Sequence, residues 1–596
     1  NNAARERLIP VLATTGGKVA LDLVLREFEQ GNAEMRDVCF KTLTSWNDYT
    51  ASSALYEIVA SRNKTFEDPA FRGYIRQVRT APVTDEQKLL LYRKILPYAL
   101  SAERKNEIIT QLGSLKTYQA LFLAGTFLDD PETSAAAASA AMHIALPSAE
   151  SSAGMYGTLV REILGKAAQK LAGPESEYNK EMVIKYLASM PADEGFISMF
   201  NGKDLTGWQG LVENPVVRAK MRRVDLERRQ EEANLLVAAN WSVKDGCIWF
   251  NGKGNNLCSV KEYGDFEMIV DWKITKDGDS GIYLRGTPQV QIWDTSRTDV
   301  GAQVGSGGLY NNQVHPSKPL KVADNPVGDW NTFRIIMVGE KVSVWLNGEL
   351  VVDDVTMENY WDRKSPIFPK GSIELQAHGT DLAFRDIYIR EISDKEYNLT
   401  PEEKSEGFVS LFNGRNLNNW VGNKESYVVE DGTIVIKPES GSGGNLYTAG
   451  EFSDFIFRFE FLLTPAANNG LGIRTPLEGD AAYVGMELQI LDNDADVYAK
   501  LEPYKYHGSV YGVIPARRGF LNPVGEWNYQ EVYVKGTKIK ITLNGTVIVD
   551  GDIADARDNG TMDKRDHPGL KNTTGHIGFL RHGSVVKFRN IRIKDL

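Results

Sequence analysis

Two short polar–apolar alternations carry the groups best suited to chemistry in this chain. Glu487-Leu-Gln489-Ile-Leu-Asp492 holds two carboxyl groups and a carboxamide. In a strand, residues 487 and 489 share a face, and a bulge before residue 492 would return Asp492 to it, giving a carboxylate pair fit for acid/base work. Arg474, on the strand expected just before, could hold an anion. The other alternation, Gln289-Val-Gln291-Ile-Trp-Asp294, retains a single carboxylate, which excludes a mechanism needing two at that place. A structural reading stands beside each residue. Gln291 and Gln489 could satisfy backbone groups inside a sandwich, and Arg285 and Arg474 could be buried partners of Asp294 and Asp492. His378 and His582 each precede a glycine at a strand end, where a histidine can simply order a turn. Trp293 could stack on a ring or pack under a loop.

These residues come in pairs because the chain is internally duplicated. Phe196-Ile-Ser-Met-Phe-Asn-Gly-Lys-Asp-Leu-Thr-Gly-Trp208 returns as Phe408-Val-Ser-Leu-Phe-Asn-Gly-Arg-Asn-Leu-Asn-Asn-Trp420. Asn325-Pro-Val-Gly-Asp-Trp-Asn331 returns as Asn522-Pro-Val-Gly-Glu-Trp-Asn528, and both copies close on His-Gly followed by Phe-Arg. Solenoid repeats run about 20 to 50 residues, so a period this long marks tandem domains, each with its own core. Alternating runs such as Phe266–Trp272 and Val342–Leu346 predict strands, and Asn347-Gly348 and Asn544-Gly545 predict tight hairpins. Many strands at this spacing predict two β-sandwiches of jelly-roll type, at 193–393 and 407–596, joined by a charged linker at 394–406.

Residues 1–192 read differently. Apolar positions at Leu89, Leu90, Tyr92, Ile95 and Leu96 follow the helical period, and similar runs continue to Leu146. Helices with short polar breaks predict a HEAT-like α-solenoid or, alternatively, an irregular bundle, and a concave solenoid face could hold a protein partner. A charged helix is also expected at about 215–239, inserted in the first sandwich. Its Arg218–Arg229 cluster is interleaved with acids and reads as a solvated face.

A chain of 596 residues with a net charge of −11 does not suit a phosphate-backbone binder, and no apolar run approaches a membrane span of about 18 residues. No nucleic-acid partner and no membrane segment are therefore expected. Cys39, Cys247 and Cys258 have no metal-ligand spacing. Asp492-Asn-Asp494-Ala-Asp496 begins like a calcium loop but has Val497 and Pro503 where that loop needs Gly and Glu, so a divalent cation stays without support and no cofactor is expected. Gly441-Ser-Gly-Gly444 lacks the lysine of a phosphate loop and reads as a turn.

The ordered set of Phe-Asn-Gly-x-x-Leu-x-x-Trp, Ser280-Gly-Ile-Tyr-Leu-Arg285, Val290-Gln-Ile-Trp-Asp294, Gly307-Gly-Leu-Tyr310, Gly328-Asp-Trp-Asn331 and the closing His-Gly…Phe-Arg resembles the 3-keto-disaccharide hydrolase family, whose fold is similar to the concanavalin A-like lectins and glucanases. The resemblance covers both copies. It implies a pocket on a concave sheet for glycosides carrying a ketone at carbon 3. It also suggests a periplasmic or extracellular setting and an oligosaccharide substrate. The Glu487-x-Gln489-x-x-Asp492 spacing is similar to the catalytic strand of laminarinase-type glycosidases, with Gln489 in place of the middle acid. Elimination from a keto sugar needs one good base. In the first copy Asp294, with His315 or Asp279 nearby, could supply it, with Gln291 beside it and Arg285 holding the enolate. Trp293, Tyr310, Asn312 and His378 would hold the sugar there, as Arg474, Gln489, Tyr511 and His582 would in the second copy. A non-catalytic, lectin-like protein is the competing reading.

Overall fold

The computed structural model describes residues 2–62, 64–148, 154–190, 195–392, 397–414, 416–417, 419–439 and 443–596. The boundary near 192, the start of the 394–406 stretch and the first two residues of Gly441–Gly444 lie outside the described residues. The chain divides into two compact units, Asn1–Glu391 and Ile392–Leu596.

The first unit begins with eleven α-helices among its described residues, from Asn2–Thr15 to Ser176–Ser189. Their starts follow from sequence: Asn32, Thr84, Ser101 and Thr117 each accept a hydrogen bond from the backbone amide three residues on. Such caps contribute about 1 kcal/mol apiece. Most helices pack on their sequence neighbours, and several also touch the next but one.

The first sandwich follows in the same unit. Its five-stranded sheet runs Trp208–Gly210, Leu257–Tyr263, Gly371–Leu375, Asp279–Leu284, Thr287–Trp293. Its eight-stranded sheet is centred on Phe266–Ile274, flanked by Asn331–Val338 and Asp381–Glu391. All pairings are antiparallel. Asp245-Gly246, Arg285-Gly286 and Asn347-Gly348 all have positive φ at both residues, the backbone a two-residue hairpin needs. The expected insertion forms helices at Pro215–Arg218 and Arg223–Asn240. The second of these covers a sheet edge: Asn234 accepts from the Gly210 amide and Gln230 donates to its carbonyl. A Cβ on Gly210 would lie 2.3 Å from the Ala233 carbonyl oxygen, so the close approach requires glycine. The helix's arginines are paired on its surface, Arg223 with Glu227 and Arg228 with Glu232.

The second sandwich repeats the strand order in both of its sheets. Pro401–Glu406, read above as linker, is instead a helix with a capping box, and its Glu403 holds Arg458 and Arg592 at 3.2 and 2.6 Å. Its charge-rich composition suited a linker, but Thr400 and Glu403 have capping-box spacing.

One contrast between the copies matters later. Along Phe455–Leu463 buried and half-buried residues alternate, as expected for a sheet with one face on its core. Along Phe266–Ile274 eight of nine residues are buried, because helices of the first unit cover the other face. Ile269 and Phe196 join the helical core, and Phe122 meets Tyr388 with ring centroids 4.5 Å apart. At the centre of this contact Asp271, 1% exposed, accepts from Gln119 at 3.0 Å, Thr332 at 2.7 Å and Arg385 at 3.1 Å, and pairs with Arg93, which also pairs with Asp386.

Candidate active site on the five-stranded sheet

Strand alternation sorts the candidate residues. In Asp279–Leu284, Ile282 and Leu284 enter the first sandwich's core, so Asp279, Gly281 and Tyr283 face outward; in Thr287–Trp293, Val290 and Ile292 enter it and Gln289, Gln291 and Trp293 face outward. The outward residues line a pocket of about 320 Å³ together with Tyr310, Asn311, Tyr360, Trp361, Gln376 and His378.

Hydrogen bonds order the pocket floor. Gln291 Nε2 donates to Asp279 Oδ1 at 2.8 Å and to the Ser280 carbonyl at 3.1 Å, while its Oε1 accepts from Gln289. Asp279 Oδ2 lies 3.7 Å from His378 Nδ1 and 3.8 Å from Arg297. Two carboxamide oxygens, Gln289 Oε1 and Gln376 Oε1, are buried without a hydrogen-bond partner. A buried acceptor left this way costs about 1 to 3 kcal/mol, which a donor supplied at the pocket would relieve. The aromatic wall is held in place: Trp293 Nε1 donates to the Gly305 carbonyl at 2.7 Å and Trp361 Nε1 to that of Gly286 at 2.8 Å. Burial pushes the Tyr283 phenol well above its ordinary range, with Glu374 adding to it, so the hydroxyl stays a donor.

Several expected site residues are elsewhere. Arg285 is 2% exposed and donates to the carbonyls of Gly264 at 2.7 Å and Gly339 at 2.8 Å while pairing with Asp265. Arg474 does the same in the second copy, with Ser453, Gly536 and Asp454. Asp294 accepts from the amides of Asp277 and Ser296, both at 2.9 Å. Burial alone would raise its carboxyl, but the bonds from Ser296 and Asp277 outweigh it and hold it below the usual range, a poor base. Asp492 closes the matching turn through Ala466 and Asp494, so it forms no carboxylate pair with Glu487. The expected bulge fails because the strand ends at Leu491 and the carboxylate caps the turn instead. Asn312 braces a loop through the carbonyls of Pro316 and Thr356, and His315 has an exposed side chain and is not among the pocket residues. In the second copy Glu487 lies 3.3 Å from His582, Gln489 donates to Asn468 at 2.8 Å, and the Tyr511 amide donates to the Glu487 carbonyl. Among the described residues no group of three or more His, Cys, Asp or Glu is placed to hold a metal ion. The three cysteines are buried and free.

Sequence reasoning missed Tyr283, Gln289, Gln376 and Glu374. Glu374 pairs across strands with Tyr283 and Cys258 and is 1% exposed. Burial pushes its carboxyl up to about 7, against the opposing effects of Asn256 and Arg218. A glutamate in the run Gly371-Ser-Ile-Glu-Leu375, where the second copy has Gly578, was the available signal. A folded-state pKa above the unfolded value makes stability fall as pH rises from about 4.3 through about 7. Glu374→Gln is therefore expected to flatten that slope and to raise stability at pH 8 by about 2 kcal/mol, read by urea denaturation at pH 5 and pH 8. An unchanged slope would show that Glu374 is ionised in the folded chain.

The chain is similar to several known proteins. The sequence model of the 3-keto-alpha-glucoside-1,2-lyase-like domain matches residues 195–390 and 407–594. A 3-keto-disaccharide hydrolase of Bacteroides thetaiotaomicron is 29% identical over 289 residues, covering 38% of this chain and 92% of that protein. Two crystal structures from Parabacteroides distasonis, described as candidate glycosyl hydrolases, are each 26% identical; they cover 33% and 32% of this chain and 98% and 99% of their own, with TM-scores of 0.30 and 0.28.

Proposed function

The chain belongs to the 3-keto-alpha-glucoside-1,2-lyase-like domain family, of which it carries two copies, and from that premise we propose that its first sandwich cleaves 3-keto-glycosides by general-base elimination. The observation that carries this reading is the meeting, in one 320 Å³ pocket, of the Asp279 carboxylate, the His378 imidazole and two unpartnered carboxamide oxygens.

A ketone at carbon 3 acidifies the hydrogen on carbon 2. Asp279 takes that proton, the C–H electron pair becomes the C1–C2 double bond, and the C1–O bond breaks. His378 gives a proton to the departing oxygen. Water then adds across the double bond, so glycoside plus water becomes a 3-keto sugar plus an alcohol. The Tyr283 hydroxyl, kept neutral by burial, can donate to the enolate oxygen. Gln289 and Gln376 accept from sugar hydroxyls, which favours polyhydroxylated ligands over apolar ones. Gln291 fixes the Asp279 carboxylate rather than touching substrate.

The test is turnover of 4-nitrophenyl 3-keto-glucoside against 4-nitrophenyl glucoside. The keto sugar is expected to be cleaved and its parent left intact, because the parent has no acidic hydrogen on carbon 2. Cleavage of both at similar rates would overturn elimination. Tyr310 and Tyr360, 51% and 40% exposed at the pocket, favour a second reading as a sugar-binding module. Saturable binding of the keto sugar without any turnover would select that reading.

A further inference from the structure

The duplication allows the site to be compared with itself. Gln291 stands opposite Gly281 and Gln489 opposite Gly470, so the two glutamines hold the same place in their sheets. By the same register Asp279 corresponds to Asn468, since each is the first residue of its strand and pairs with Trp293 and Leu491 respectively. His378 corresponds to His582 in the closing motif, and Tyr310 to Tyr511, each following a bridge residue on the neighbouring loop, Leu309 or Val510.

Glutamine, histidine and tyrosine are the same in both copies, and the glutamine bond is the same, 2.8 Å to Asp279 in one and 2.8 Å to Asn468 in the other. The carboxylate has moved, and Tyr283, Trp293 and Gln376 give way to Gly472, Leu491 and Leu580. Where the first copy has Asp279 and neutral Gln289, the second has neutral Asn468 and Glu487. Each copy thus keeps one carboxylate beside the same histidine, Asp279 at 3.7 Å from His378 and Glu487 at 3.3 Å from His582. Glu487 is 4% exposed, and its Oε1 makes no directed hydrogen bond. That leaves a buried acceptor facing the imidazole without a directed hydrogen bond, a costly arrangement for a purely structural residue.

Resting on the reading of the first pocket, we propose that the second sandwich holds a second, independent acid/base site for oxidised glycosides, with Glu487 as base and His582 as acid. The balance of the step is that of the first site: Glu487 removes the proton on carbon 2, the C1–O bond breaks, and His582 protonates the leaving oxygen. The Glu487 carboxylate raises the His582 imidazole above its ordinary value, although burial opposes it, so this acid stays charged to higher pH.

The experiment uses the full chain and 4-nitrophenyl 3-keto-glucoside, with Asp279→Asn, Glu487→Gln and the double variant, each checked for an unchanged unfolding midpoint. Each single variant is expected to retain activity that the double variant lacks by about 100-fold or more. The activity left in Asp279→Asn should be lost as pH rises through the raised His582 value. His582→Gln in the Asp279→Asn background is the second route, should Glu487→Gln destabilise the fold. If Asp279→Asn alone is as silent as the double variant, and Glu487→Gln matches the unmodified chain, the second site does not exist while the first reading stands. A double variant with full activity would instead remove the first reading.

Discussion

In a chain whose second site is silenced by Glu487→Gln, Asp279→Asn is expected to lower kcat/KM for a 3-keto-glucoside by about 100-fold or more. The substitution keeps the shape and the hydrogen bond from Gln291 Nε2 through the amide oxygen, and removes only the base. Asp294→Asn is the matched control. Asp294 closes a turn through two backbone amides and is not among the pocket residues, so its loss should appear in the unfolding midpoint and leave the pH–rate profile in place. Steady-state rates on both variants decide the matter. A rate loss in Asp294→Asn equal to that in Asp279→Asn, with the fold intact, would return the role of base to Asp294.

The largest stability effect is expected at Asp271. Replacing it by Ala leaves the half-buried Arg93 and Arg385 with Asp386 as their shared carboxylate and strands the Gln119 amide and the Thr332 hydroxyl. Breaking a buried ion pair from one side costs about 3 to 5 kcal/mol. Glu460→Ala, at the corresponding position of the second copy, removes a partly exposed partner of Arg589 and should cost about 1 kcal/mol or less. Denaturant unfolding of the two variants gives the comparison directly, and equal losses would mean that the helical cover does not dehydrate the Asp271 cluster.

Much of the fold could be read before any coordinates, and the reason is local chemistry. Asn-Gly and Asp-Gly pairs need positive φ and so announce hairpins, and alternation announces strands that bury one face. The duplication then assigns both sandwiches at once. Site assignment was less direct. Gln291, Trp293, Tyr310, His378 and Asp279 do share a pocket, because alternation places the strand residues among them on the outward face. Arg285 and Asp294 misled because ion-pair chemistry and catalytic chemistry use the same side chains, and a single sequence does not show which backbone carbonyls and amides a turn leaves unpaired. Their repetition as Arg474 and Asp492, with the same backbone partners, marks them as parts of the scaffold. Tyr283, Gln376 and Glu374 escaped notice because their strands read as ordinary core, and their meaning depends on which strands become neighbours.

The helical cover over Phe266–Ile274 also determines how the chain can be cut and reused. An expression boundary placed at the start of the duplicated segment would leave the first sandwich with Phe196, Ile269 and Tyr388 facing water, beside carboxylates stripped of Arg93 and Gln119. Such a fragment should self-associate in solution. The second sandwich, with its alternating Phe455–Leu463 strand and its own capping helix at Pro401–Glu406, is the portable module of the pair, the copy to graft, fuse or crystallise alone.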